Sequence, residues 1–219
     1  MLQKIVRNII WRIDRARLKN KDFPLITNTC LGGIISHNLG LQFLSPTVNL
    51  GIRDYDEFFL FCTHLSYYLS LSVESVQSDF RYPVGVLKGK YGDVKLFFSH
   101  YGTFEEAVEK WESRKKRVNY DNVIVIMDGD TCPDEVLNRF DSLPVQRKMV
   151  YTLGKKPNVK SSFPMISKKY KTAQLLVHSF LFESARWFEV FDYVSFLNKG
   201  VIRPRYVYKI FPKNNSEVQ

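Results

Sequence analysis

Cys30 is the first residue whose type and setting could carry chemistry. It lies in the run Asn28-Thr29-Cys30-Leu31-Gly32-Gly33, between a short apolar stretch at 24–27 and a helical spacing of Ile34, Ile35, Leu39 and Leu41. That order reads as strand, tight turn, helix. A thiol at a helix start meets free backbone N–H groups and the positive end of the helix dipole, and both favour the thiolate. The glycines after it would let a substrate approach the backbone closely. A cysteine that is only packed inside the fold is the competing reading, so the nucleophile needs a base.

His100 supplies a candidate. It stands at the end of the alternating run Val94, Leu96, Phe98, and ligands of α/β sheets gather at the carboxyl ends of strands. A histidine there can act as general base. Asp128-Gly129-Asp130 follows a buried apolar run directly. On one reading Asp128 orients His100, completing a Cys, His, Asp order. On the other, Asp128 and Asp130 hold Mn or Mg against a nucleotide sugar, as paired carboxylates with substrate phosphates can. The bland alternative is a turn in which an aspartate caps the next helix. Trp111, Arg114 and Arg117 share one helical face. They could hold a phosphate or carboxylate, or the tryptophan could pack while the arginines stay solvated. His37, His64 and His178 fall in helical segments and have weaker claims.

The elements around these residues alternate. Residues 1–21 read as a basic amphipathic helix, with Ile5, Ile9, Ile13 and Leu18 at helical spacing and Arg7, Arg12, Arg15 and Arg17 between them. It could lie on anionic lipid or pack on the domain, and packing is the favoured reading. Strands are expected at 24–27, 48–52, 123–127 and 148–152, with a hairpin of 84–87 and 94–99 around Gly89 and Gly92. Helices are expected from 34 to Gly40, over 54–71, after the Thr103 cap, and over 133–140. Residues 155–171 read as a basic loop, 175–197 as aromatic helix, and the residues from Lys213 as a frayed tail. The fold expected is α/β: a mixed, partly parallel sheet flanked by helices, with a C-terminal helical appendage. Its parts are a helix at 1–22, a core at 23–154 and a segment packed on that core at 155–219.

Composition narrows the classes. Hydrophobic residues make up 45% and aromatics 15% of 219 residues, enough for a real core without staples. The 3 cysteines do not suggest a disulfide framework. No segment reaches the roughly 20 apolar residues of a membrane span, and no signal peptide is evident, so a cytoplasmic protein is expected. The +10 charge favours anionic partners without choosing among them. No nucleic-acid-binding signature and no structural zinc spacing is present.

Taken together, the motifs form an ordered string. Asn28 to Gly33, Leu39-Gly40-Leu41, Ser45-Pro46-Thr47-Val48-Asn49-Leu50, Tyr82-Pro83-Val84-Gly85, His100-Tyr101, Trp111-Glu112-Ser113-Arg114, Arg117-Val118-Asn119 and Asp121-Asn122 occur in that order. The string resembles a bacterial family of unknown function whose members lie in exopolysaccharide and capsule gene clusters. The resemblance implies a sugar or polysaccharide precursor as partner. It implies a substrate site near Asn28, Gly32, Gly33, Ser45, Thr47, Asn49, Trp111, Arg114 and Arg117. Residue order alone is similar to papain-like cysteine enzymes, which implies acyl transfer through Cys30, His100 and Asp128, without a cofactor. The alternatives are the metal-dependent glycosyltransferase and a non-catalytic partner that docks assembly enzymes at the inner membrane face through residues 1–21.

Overall fold

The computed structural model describes residues 2–165 and 187–205. At its centre lies β5 (Ile124–Asp128), buried at every residue, as a continuous apolar run between two layers must be. It pairs in parallel with β1 (Leu25–Thr27) and with β6 (Arg147–Leu153), and β7 (Ser162–Met165) continues in parallel beyond β6. The order is β1-β5-β6-β7. A second, antiparallel sheet holds β2 (Glu74–Val76), β3 (Val84–Leu87) and β4 (Val94–Phe97). The fold is therefore α/β with one parallel and one antiparallel sheet.

Successive side chains of a strand point to opposite faces, and two cores follow from that. Val125, Met127 and Val150 enter one core, which α3 (Tyr55–Thr63), α4 (Leu65–Ser70), α5 (Phe104–Lys115), α6 (Asp134–Asp141) and the hairpin close. Ile124, Ile126, Met149 and Tyr151 enter the other, closed by α2 (Leu31–Leu39), α7 (Tyr193–Lys199) and the aromatic residues Phe188, Phe191 and Phe196. Residues 187–205 thus cover one face of the parallel sheet; the rest of the expected helix at 175–197, and His178, lie outside the described residues.

Local signals set several boundaries. Gly40 ends α2 with a left-handed φ of 68°, which glycine adopts without a Cβ penalty. The Thr103 hydroxyl accepts from the Glu106 amide at 3.2 Å and starts α5. Other expectations fail. The helix over 54–71 breaks at His64 into α3 and α4. Just before the break, the Thr63 hydroxyl bonds the Phe59 carbonyl at 2.8 Å, a back-bond that bends helices. No strand forms at 48–52: Asn49 takes a left-handed φ of 65°, and Gly51 makes one isolated bridge to Phe97. The basic loop at 155–171 contains β7, where Pro164 is tolerated because β7 is the last strand of the described sheet.

The N-terminal helix α1 (Leu2–Arg17) packs on the domain as favoured, but not through its isoleucine stripe. Ile5, Ile9 and Ile13 are 50%, 51% and 53% exposed. A polar anchor on another side holds the helix. The buried Asp14 carboxylate accepts from the Tyr193 hydroxyl at 2.9 Å and pairs with Arg205 and Arg17. Arg17 also reaches Asp192, at 2.8 Å, and the Asp192 side chain caps α7. Among the described residues no helix is long and apolar enough to cross a membrane.

Asp14→Ala should cost about 3 kcal/mol, because it leaves the buried Arg205 guanidinium without its counter-charge. Urea unfolding followed by far-UV circular dichroism reads the loss.

Candidate functional site

The turn that carries Cys30 is built by threonines. At the end of β1 the Thr27 hydroxyl donates to the Thr29 carbonyl at 2.6 Å and accepts from the Gly32 amide at 3.1 Å. The Thr29 hydroxyl accepts from the Leu31 amide at 3.4 Å. Cys30 thereby becomes the N-cap residue of α2. Two amides that the sequence reading left free for a thiolate are taken by these hydroxyls, while the positive end of the α2 dipole still faces the sulfur. The glycines also serve differently from the expectation. A Cβ on Gly32 would lie 2.9 Å from Thr27 Oγ1 and 3.1 Å from the Leu25 carbonyl, so Gly32 allows helix and strand to touch. A Cβ on Gly33 would meet Asn49 Oδ1 and Val48 Cγ1, each at 3.1 Å, so Gly33 seats the loop above it.

His100 arrives from the other sheet. Alternation would place it with Val94, Leu96 and Phe98 on the core face, but β4 ends at Phe97 and the chain turns. The Ser99 amide bonds the Phe97 carbonyl at 2.9 Å, and the Tyr101 amide bonds the Phe98 carbonyl at 3.1 Å. The turn leaves Phe98 buried and brings His100 to the surface. Its Nε2 lies 3.1 Å from Cys30 Sγ, and Ser99 Oγ lies 3.7 Å from the same sulfur. A base within hydrogen-bond reach of a half-buried thiol can take its proton. Ser99 was not singled out in the sequence; its position directly before the histidine was the available signal.

Asn28 joins the parts. Its carboxamide accepts from the Asp128 amide at 2.8 Å and donates to the Asp128 carbonyl at 3.0 Å, extending the β1–β5 pairing past the strand. Its own carbonyl accepts from Ile52 at 2.9 Å, next to the Gly51–Phe97 bridge. Asn28 is buried and positions the turn.

Asp128 sits at the end of β5, and the expected role as orienter of His100 is not what the geometry gives. Among the described residues no hydrogen bond joins its carboxylate to His100, and its Oδ1 is buried without a partner. Burial first, and then the charge of Asp130, push this carboxyl up to about 7. Among the described residues no cluster of three or more His, Cys, Asp or Glu could hold a metal ion.

The remaining expected substrate contacts are spent on the fold. Ser45 and Thr47 are buried, their hydroxyls 2.9 Å apart, and Thr47 Oγ1 accepts from the Thr27 amide at 3.2 Å. Trp111 is 1% exposed, within the core beside Phe61. Arg114 donates to the Val48 carbonyl at 3.0 Å and to the Tyr101 hydroxyl at 2.6 Å. Arg117 donates to the Phe43 carbonyl at 3.2 Å.

The sequence profile of a domain of unknown function (DUF1919) matches residues 1–198, from α1 into α7. The chain belongs to this family. It is also similar to an uncharacterized protein of Haemophilus influenzae (strain ATCC 51907 / DSM 11121 / KW20 / Rd), with 30% identity over 200 residues, covering 90% of this chain and 94% of that protein. The DUF1919 match contains both members of the Cys30–His100 pair and the helix α1.

Within this DUF1919 domain the other two thiols are held apart from solvent. Burial pushes Cys62 far up, and burial with the nearby carboxylates of Asp56 and Asp134 pushes Cys132 up to about 12. Limiting iodoacetamide near neutral pH should therefore label Cys30 first, roughly tenfold or more ahead of either. Peptide mass spectrometry reads the order, and faster labelling at Cys62 or Cys132 would contradict it.

Asp128 sets a pH dependence. Its folded value near 7 lies above the ordinary 3.8, so the folded protein binds more protons than the unfolded chain between them. Its contribution to stability is present below about pH 4 and is lost as the pH rises through about 7. Asp128→Asn should thus gain stability over the wild type at about pH 8, on the order of 2–4 kcal/mol relative to the difference at about pH 4, by urea unfolding at each pH.

Proposed function

We propose that this protein is a thiol-dependent acyl-transfer enzyme with Cys30 as nucleophile and His100 as general base. The observation that carries the reading is the 3.1 Å separation of Cys30 Sγ and His100 Nε2 at the start of α2. His100 Nε2 takes the thiol proton as the sulfur attacks the carbonyl carbon of an acyl donor. The leaving group departs with that proton, returned by the imidazolium, and a thioester on Cys30 remains. An acceptor hydroxyl then gives its proton to His100 and attacks the thioester, releasing the ester and restoring the thiol. The half-buried sulfur and exposed imidazole leave both groups open to a substrate.

The acceptor class rests on the resemblance of the ordered motifs to proteins of exopolysaccharide and capsule clusters, which supports a hydroxyl of a sugar or lipid-linked polysaccharide precursor. In that setting the enzyme would be a transferase of surface-polysaccharide assembly, acting on precursors inside the cell. The DUF1919 family and the uncharacterised relative name neither a reaction nor a substrate.

Rapid mixing with p-nitrophenyl acetate tests the first half-reaction. The wild type should release a burst of one p-nitrophenolate per chain and carry an acetyl group on the peptide containing Cys30. His100→Ala should slow the burst roughly 10²–10⁴-fold, the usual range for a general base. An equal burst from a folded Cys30→Ser variant that also carries His100 would end the proposal.

A further inference from the structure

α1 presents two faces of opposite character. Ile5, Ile9 and Ile13 recur every fourth residue and so lie on one stripe of the helix, and each is about half exposed. At about 100° per residue, Asp14 and Leu18 fall on the far side, where both are buried. The ion network of Asp14, Arg17, Asp192 and Arg205 fixes the helix in that rotation, so the isoleucines cannot turn inward without breaking it. An amphipathic helix normally shows its apolar stripe to the core. Here the stripe is the outer surface.

Among the described side chains of α1 the exposed charges have one sign. Asp14 is the sole acidic residue of α1, and it is buried and paired. Arg12 and Arg15 are exposed on the same helix, and Lys19 and Lys21 are exposed just beyond it. Asp22 follows, with its carboxylate accepting from Asn119 at 3.2 Å. The chain as a whole carries +10.

We propose that α1 docks the protein on the surface of an anionic lipid bilayer, with Ile5, Ile9 and Ile13 entering the interface and Arg12, Lys19 and Lys21 meeting the headgroups. Exposed isoleucines ringed by cations are the pattern of a helix lying in a membrane interface. A second copy of the chain is the less favourable occupant, because two such faces would bring like charges together as they bury the isoleucines. The rigid anchor to α7 means that the helix carries the whole domain with it.

Vesicle flotation of the full chain tests the docking. Vesicles of equal parts phosphatidylcholine and phosphatidylglycerol should carry the wild type, and vesicles of phosphatidylcholine alone should not. Added salt should weaken the binding. The triple change Ile5→Ser, Ile9→Ser and Ile13→Ser should lower the partition coefficient roughly tenfold or more while leaving the melting curve in place. The double change Arg12→Gln and Lys19→Gln should lower it roughly tenfold by removing headgroup attraction. Equal partition of the wild type and the serine variant would overturn insertion of the stripe. Equal partition on the two vesicle types would overturn the anionic preference. A wild-type dimer in sedimentation equilibrium that dissociates in the serine variant, with no flotation, would give the face to a second copy instead.

Discussion

One side chain and its own carbonyl hold the two sheets in the arrangement that makes the cysteine–histidine pair. Cys30 belongs to the parallel sheet and His100 to the antiparallel one, so their 3.1 Å contact depends on how the sheets join. Asn28 imitates a strand residue toward Asp128 with its carboxamide, and offers its backbone carbonyl to Ile52. Gly51 then pairs with Phe97 through two backbone bonds of 2.9 Å. The path from Cys30 to His100 therefore runs through backbone and buried amide contacts, which are short and directional. A surface loop bearing the histidine would lack that constraint. Buried amide groups must be paired, and here the pairing itself sets the registration.

Much of this fold was legible because local chemistry and global burial agreed. The run at 123–127 had to lie between layers, the Thr103 cap had to start a helix, and Gly40 had to end one. The strand–turn–helix setting of Cys30 was likewise readable from the order of apolar residues and glycines. What could not be read was anything decided by which element lies opposite. Period-two spacing put His100 on the core face, because nothing in the spacing marks where a strand stops. The stretch 48–52 looked like a strand because its apolar residues alternate, and Val48, Leu50 and Ile52 are indeed buried, yet on irregular backbone with a single bridge at Gly51. The stripe of Ile5, Ile9 and Ile13 was visible as amphipathicity; its direction was not. A polar anchor, made with residues about 180 positions away, decided it.

Those long-range ion pairs show how electrostatics can set orientation against the hydrophobic pattern. Burying three isoleucines would ordinarily favour rotating α1 by half a turn, at about 1.5–3 kcal/mol for each side chain fully buried. The rotation would strand Asp14 in solvent and leave the buried Arg205 guanidinium without its carboxylate. Breaking a buried pair costs about 3–5 kcal/mol, and further hydrogen bonds would go with it. The two tendencies are comparable in size, so the orientation is held by the geometry of the pocket around Asp14 as much as by net energy.

The motif residues outside the pair share a task that their types alone did not announce. Residues 41–52 run without regular secondary structure beyond the Gly51 bridge, so their backbone groups need partners from elsewhere. Arg114 and Tyr101 satisfy the Val48 carbonyl, Arg117 satisfies the Phe43 carbonyl, and Ser45 and Thr47 tie the segment to the Thr27 amide. The same segment ends at Gly51, whose bridge to Phe97 fixes the turn that exposes His100. The Arg114 guanidinium, whose donors lie in one plane in a fixed fork, serves the Val48 carbonyl and the Tyr101 hydroxyl at once. These polar residues, some before His100 in the chain and some after it, thus act on the pair from behind, by fixing the loop on which the alignment of the two sheets depends.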